Sequence, residues 1–205
     1  LALTLGGGII ADERDKGTLE LYLSSPMSIG EFITGKFLGL AVALVLSTTA
    51  GLGIAGIVII IKLGFSTVLT YLLFVLNSVF LGLIFLSVSF LVSILFSDRA
   101  RVIAFTIFLW LFFAVLYDLG LVGLLIITKG VVGNEVFSAL LVLNPVDVYR
   151  VLNFLSIGEL RVFLGLAAVE LPGYMNTPVL WVITLLWVVM PLYLSYYFFK
   201  KRYLI

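Results

Sequence analysis

The chain has 205 residues, of which 63% are hydrophobic and 11% charged, with a formal net charge of +1. Soluble domains carry about a quarter charged residues, so this composition excludes a water-soluble fold and defines an integral membrane protein. It holds no Cys and no His, which excludes disulfides, thiolate ligands, thiol nucleophiles and the commonest general base and metal ligand; nothing in the charge balance points to nucleic acid as a partner.

Residues 1–10 are apolar but about half the roughly twenty needed to cross a bilayer. They read as the cytoplasmic end of a truncated transmembrane helix. There is no basic leader or small-residue cleavage site, so a signal peptide is not indicated.

Residues 11–36 are the most extended charged stretch, expected to be cytoplasmic. Asp12 and Lys16 have the i,i+4 spacing of a helical ion pair, Gly17-Thr18 permits a bend, and Leu19, Leu21, Tyr22 and Leu23 form an apolar patch beside Glu20. A short helix of this kind suits a groove in a cytosolic partner. A loop lying on the inner leaflet would favour basic residues, against Asp12, Glu13, Asp15 and Glu20. Gly30 to Lys36 matches the glycines and lysine of a phosphate loop, but Phe37 stands where that loop needs Ser or Thr and no strand precedes it. Ser28 and Glu31 fit a capping box that opens the next helix.

Four runs are long and apolar enough to span as helices: 37–61, 68–96, 102–127 and 178–199. None alternates as a barrel strand would, and an open strand would leave backbone groups unpaired in lipid. The fold class is therefore all-α, a polytopic transmembrane helix bundle. Residues 62–67 become an outer loop, 97–101 a cytoplasmic loop, 128–177 an outer segment and 200–205 a cytoplasmic tail. Of the 12 Lys and Arg residues, eight (Arg14, Lys16, Lys36, Arg99, Arg101, Lys200, Lys201, Arg202) collect on the side this assigns to the cytoplasm. Lys62, Lys129, Arg150 and Arg161 fall on the other.

In the first of these spans Gly35, Gly39, Ala43, Ser47, Gly51 and Ala55 recur every fourth residue, a small-residue ridge for close helix approach. Packing within the chain is the favoured reading, a face for a second copy of the chain the alternative. Ser78, Gly82, Ser89 and Ser93 make a weaker ridge on the next span. Tyr117-Asp118 places an ionisable group about 25 Å up the third span from Arg101, a costly placement that marks either a polar pathway or a bond to a neighbouring helix. The pair is similar to the motif of intramembrane aspartyl proteases, whose chemistry needs a second carboxylate that no other span offers.

The outer segment is apolar over 136–143 and 151–155, broken at Asn144-Pro145 and Leu171-Pro172-Gly173, and is expected to lie on or dip into the outer leaflet. The alternative, one more irregular span over 134–155, would put the tail outside. Asp147 and Arg150 form a local i,i+3 pair. Met27, Met175 and Met190 fall in three different regions and make no soft-metal cluster. Tyr193, Tyr196, Tyr197 and Tyr203, with Lys200, Lys201 and Arg202, anchor the last helix at the inner interface.

The run Glu13-Arg14-Asp15-Lys16-Gly17-Thr18-Leu19-Glu20-Leu21-Tyr22-Leu23-Ser24-Ser25-Pro26, followed by Gly35-Lys36-Phe37-Leu38-Gly39, resembles the signature of ABC-2-type transporter permeases. Leu116-Tyr117-Asp118 and Leu143-Asn144-Pro145-Val146-Asp147-Val148-Tyr149-Arg150 look most like the NosY group, permeases of the transporter that helps mature nitrous-oxide reductase. The resemblance implies six spans in a complete chain, with the first and most of the second missing here. It implies that 13–23 is a coupling helix seated in a cytosolic ATPase, with Asp98, Arg99 and Arg101 a second contact. Two permeases and two ATPases would assemble, the ATPases holding ATP and Mg, and a periplasmic accessory protein would dock outside. This chain would hold no catalytic residue, cofactor or metal of its own. It would sit in a prokaryotic inner membrane and move a sulfur or copper species. Tyr117, Asp118, Asn144, Asp147 and Arg150 are candidates for a pathway or outer gate. The alternatives are an ABC-2 exporter permease for another substrate (a drug, lipid or ion), and a stand-alone channel or secondary transporter, which would show ionisable groups or broken helices near the midplane; neither is evident in the sequence.

Overall fold

A computed structural model describes residues 2–23, 26–129, 131–156 and 174–203. The break at 171–173 and Arg161 lie outside them. The described residues are helices and short connections, with no strand among them. Backbone hydrogen bonds satisfied within each segment are what a hydrocarbon surround demands of such an apolar chain.

Helix α1 (Ala2–Asp15) and the short α2 (Thr18–Leu23) precede α3 (Ile29–Leu63). After a tight turn come α4 (Val68–Leu95), α5 (Arg99–Leu111), a π-helical turn (Phe112–Leu116) and α6 (Tyr117–Ile127). Then follow α7 (Asn134–Val142), α8 (Pro145–Ser156) and α9 (Thr177–Tyr203). Four helical stretches are long and apolar enough to cross a membrane: Ile29–Leu63, Phe65–Leu95, Arg99–Ile127 and Thr177–Arg202.

Local signals start and stop these helices where the sequence indicates. Ser28 opens α3 with the full capping box, its Oγ accepting from Glu31 N–H while the Glu31 carboxylate accepts from Ser28 N–H. Gly17, at φ +70°, makes the bend between α1 and α2, a conformation that glycine adopts without strain. Residues 30–37, where a phosphate loop would need an open backbone, are helical.

The central element is α4, which packs against α1, α3, α5, α8 and α9. Its ridge of Ser78, Gly82, Ser89 and Ser93 is the one that carries intramolecular contact. A Cβ at Gly82 would come within 2.9 Å of Leu44, and a Cβ at Gly6 of α1 would collide with Ser89 Oγ and approach Leu86 O to 3.0 Å. Ala11 N–H donates to Ser93 Oγ at 3.3 Å, and Ser78 Oγ meets Tyr149 Oη at 3.1 Å.

Against the described residues the stronger-looking ridge does not pack, which differs from the favoured sequence reading. Gly35, Gly39, Ala43, Ser47, Gly51 and Ala55 are all exposed, and Gly35, Gly39 and Gly51 have nothing within 4 Å of a Cβ position. The reason is area: α3 turns Phe37, Ala41 and Leu44 inward, and large apolar side chains bury more surface than a glycine stripe can.

In α9, Pro191 interrupts the backbone ladder without ending the helix. The carbonyl four residues earlier, Trp187 O, is approached by Ser87 Oγ of α4 at 3.4 Å. The basic residues at the end of the chain continue this helix rather than forming a separate tail.

Candidate functional site

At one end of the bundle meet the C-termini of α1, α4 and α9 and the N-termini of α3 and α5. A buried cluster of Ile10, Leu19, Phe32, Ile33, Phe90, Ile94 and Phe199 fixes them together. Polar braces surround it. Arg14 donates to Phe96 O and Ser93 O, both at 3.1 Å, and Arg202 donates to Ile94 O at 2.6 Å and to Ser97 Oγ. Lys36 pairs with Glu13, and its ammonium lies 5.0 Å from the Tyr22 ring centroid and 5.2 Å from that of Phe32.

This geometry corrects the reading of residues 13–23 as one free docking helix. Leu19 is 3% exposed and belongs to the core, while Glu13 and Arg14 are spent on internal partners. Asp12 pairs with Arg99 at 3.1 Å instead of with Lys16; the neighbouring helix start draws the carboxylate away. The side chains of Glu20 and Leu21 lie outside the described residues. What stays open is the bend and one side of α2: Lys16, Gly17 and Tyr22 are exposed and Thr18 is half-buried. Asp98 caps α5 through Ala100 N–H at 2.9 Å and lies 3.7 Å from Arg101, beside Arg99. Both predicted inner contacts thus occupy the same end.

At the opposite end, α7 descends alongside α6 and α8 returns. Tyr117 Oη donates to Leu140 O at 2.6 Å, and deeper in, Asn144 Nδ2 donates to Phe113 O at 3.0 Å. Trp187 Nε1 of α9 donates to Val142 O at 3.1 Å. On the way back Arg150 reaches Asp118 at 2.5 Å, Tyr149 meets Ser78, and Asn77 Nδ2 donates to Asn153 Oδ1 at 3.0 Å. Leu121 and Leu125 of α6 pack on an apolar cluster of Phe137, Leu141, Val148, Val151, Leu152, Met175 and Leu180. The segment 134–156 is therefore a helical hairpin whose break, at Leu143 to Pro145, lies level with Phe113, about halfway along the 29-residue helical stretch Arg99–Ile127.

The five outer candidates converge on that hairpin and on α6. Arg150 sits between Asp118 and Asp147, at 2.5 and 3.0 Å. Asn144 is fully buried; its amide NH₂ also donates to Asp147 Oδ2 at 2.8 Å, and its Oδ1 accepts from Val146 N–H at 3.0 Å. Two carboxylates around one guanidinium leave the cluster one negative charge in excess. The Arg150 and Asp118 side chains are 35% and 33% exposed and that of Asp147 6%.

Sequence reasoning missed the π-helical turn just before Tyr117, the Asn77–Asn153 bond and the Trp187 anchor. It read the Asn144-Pro145 break but not its depth, level with Phe113. The Asn144-Pro145 break was a visible signal for the hairpin; the wide turn, in an unbroken apolar run, had none. Among the described residues no group of three or more metal-ligating side chains comes together.

Four membrane-length helices, a helical hairpin holding an ion triad at one end and a braced charged cluster at the other define a multi-pass helical membrane protein with no strand among the described residues. The family model for "ABC-2 family transporter protein" matches residues 1–204, and the chain belongs to that family. It is 31% identical over 210 residues to the "Probable ABC transporter permease protein NosY" of Stutzerimonas stutzeri, covering 98% of this chain and 75% of that relative. It is 32% identical over 211 residues to the protein of the same name from Pseudomonas aeruginosa, covering 98% and 74%.

Proposed function

We propose that this chain is the membrane-spanning permease subunit of an ATP-driven transporter, powered by a separate cytosolic ATPase that docks at its inner end. The observation that carries this is the match of the family along nearly the whole chain, together with relatives named as ABC transporter permeases. The exposed bend at Lys16, Gly17, Thr18 and Tyr22 is the primary ATPase contact, and Asp98, Arg99 and Arg101 the second. ATP and Mg belong to that partner. This chain transmits work; no bond is broken in it.

The internal braces supply the transmission. A push on the bend cannot be absorbed locally, because Lys36–Glu13 ties α1 to α3 and Arg14 ties α1 to the end of α4. The exposed ridge from Gly35 to Ala55 serves a second permease copy, and the ion triad of Asp118, Asp147 and Arg150, with Tyr117 and Asn144, works as an outer gate. By similarity to the NosY group the cargo is a sulfur or copper species bound for nitrous-oxide reductase maturation, with a periplasmic accessory protein on the outer face and the prokaryotic inner membrane as the setting. With no Cys or His, this chain would pass such a cargo by oxygen and backbone groups only.

Purification of the full-length permease from its host membranes tests the reading. An ATP-hydrolysing subunit should co-purify, and its loss on Tyr22→Ala with Lys16→Glu, in a chain of unchanged stability, identifies the contact. A permease that isolates alone and moves its cargo without ATP would refute the proposal. ATP-dependent accumulation of labelled sulfide or copper by inverted vesicles decides the cargo.

A further inference from the structure

We propose that the third span is a two-register helix: the turn at Phe112–Leu116 stores one surplus residue that can be drawn back into a regular α-helix, and Asn144 and Arg150 hold the stored register. The inference rests on the permease reading, because it makes this register change the motion of the outer gate.

In an α-helix Tyr117 N–H would bond the carbonyl of Phe113. Here it donates to Phe112 O, the wider loop of a π-bulge, a feature that gathers at functional sites. Phe113 O thereby loses its Tyr117 N–H donor, and a carbonyl left without a donor in apolar surroundings is costly. Asn144, buried at the break of the hairpin, supplies the donor at 3.0 Å. One turn further on, the same register brings Asp118 to Arg150 at 2.5 Å and Tyr117 Oη to Leu140 O at 2.6 Å.

Closing the wide turn would return Phe113 O to Tyr117 N–H. Everything from Tyr117 to Ile127 would then rotate by about 100° and advance by about 1.5 Å. Asp118 would leave Arg150, yet Arg150 would keep Asp147 on its own helix at 3.0 Å. The stored register also holds the Tyr117 Oη–Leu140 O bond and the packing of Leu121 and Leu125, so the closed register is the minor one until nucleotide binding by the partner favours it. Packing permits the turn. Neither the π segment nor α6 holds a fully buried residue, and Gly120 and Gly123 have open space at their Cβ positions. The inner half is anchored instead, by buried Val102 and Thr106. Rotation is thus confined to the outer end.

The test places spin labels at Leu119→Cys and Val136→Cys, exposed positions on α6 and α7 outside the ion triad, in the full-length permease assembled with its ATPase on a cysteine-free background. Two distances should appear, one dominant without nucleotide and the other with a non-hydrolysable ATP analogue. Asn144→Ala should move the nucleotide-free population toward the second distance by about tenfold. Deletion of Ala114 removes the surplus residue while keeping Asp118 opposite Arg150, so it should leave the first distance alone in both states and abolish transport with the ATPase still bound. A single unchanged distance in the parent, or the parent's shift persisting after the Ala114 deletion, would overturn the register switch while leaving the permease reading intact. Failure of any ATPase to assemble would overturn both. Should the deletion fail to fold, the parent and Asn144→Ala comparisons decide.

Discussion

Arg14, near the end of α1, donates through its guanidinium to the carbonyl of Phe96, the residue that ends α4, at 3.1 Å. A second bond from the same group reaches Ser93 O, so a charged residue expected to face a partner instead satisfies carbonyls left open at a helix C-terminus. Arg14→Gln should lower stability by about 1.5–3 kcal/mol, the range for hydrogen bonds to charged groups. Arg14→Lys should recover only part, because an ammonium lacks the fork that spans two acceptors. Thermal unfolding of the purified protein in detergent reads both; a Lys variant equal to the parent would deny the bidentate role.

Leu19 and Tyr22 lie one turn apart on α2 but differ in depth, Leu19 being 3% exposed in the core and Tyr22, against the Phe32 ring at its edge, 40% exposed. Leu19→Asp places a carboxylate among Ile10, Phe32, Phe90 and Phe199, and its cost, several kcal/mol, should show as loss of folded protein. Tyr22→Ala should leave folding close to normal while weakening ATPase co-purification. If Leu19→Asp folded as well as the parent, the inner core would be wrongly assigned.

Gly6 and Gly39 make a paired comparison of the two ridges. Gly6→Leu should destabilise by about 1–3 kcal/mol through overpacking against Ser89 and Leu86. Gly39→Leu meets open space and should leave the single chain's stability level or slightly raised, since glycine is a poor helix former. Its effect should appear in the oligomeric state, measured by cross-linking in membranes. Normal assembly with Gly39→Leu would remove the exposed ridge as a contact between copies.

Removing Arg150 should be worse than removing either acid. Arg150→Met leaves Asp118 and Asp147 facing each other, and the loss should fall somewhat below the about 3–5 kcal/mol of a fully buried pair, given that Arg150 and Asp118 are about one-third exposed. Exchange of the pair, Asp118→Arg with Arg150→Asp, should restore much of it. Resistance to limited proteolysis from the outer side reads the result. An exchange no better than the worse single change would show that the pair does not tie the hairpin to α6.

Spans were legible because hydropathy needs only composition and length, and helix starts because Ser28 and Glu31 act within one turn. The convergence of Tyr117, Asp118, Asn144, Asp147 and Arg150 was half legible: each polar residue stood out against an apolar background, but which of them touch depends on the hairpin's depth. The small-residue ridges misled for a related reason. Four-residue spacing states that a helix can be approached closely, without stating whether a helix of the same chain does so.

Solvent class, helical architecture, the four membrane-length runs and family membership are all written in the residues themselves, since each depends on side-chain chemistry read locally or in sequence order. Only the tertiary structure decided that Leu19 turns inward, that Arg14 and Asp12 find partners on α4 and α5, and that the third span carries a wide turn answered by Asn144. Those outcomes follow from contacts between residues some 30 to 90 positions apart, where the competition among partners is settled by geometry that no local pattern encodes.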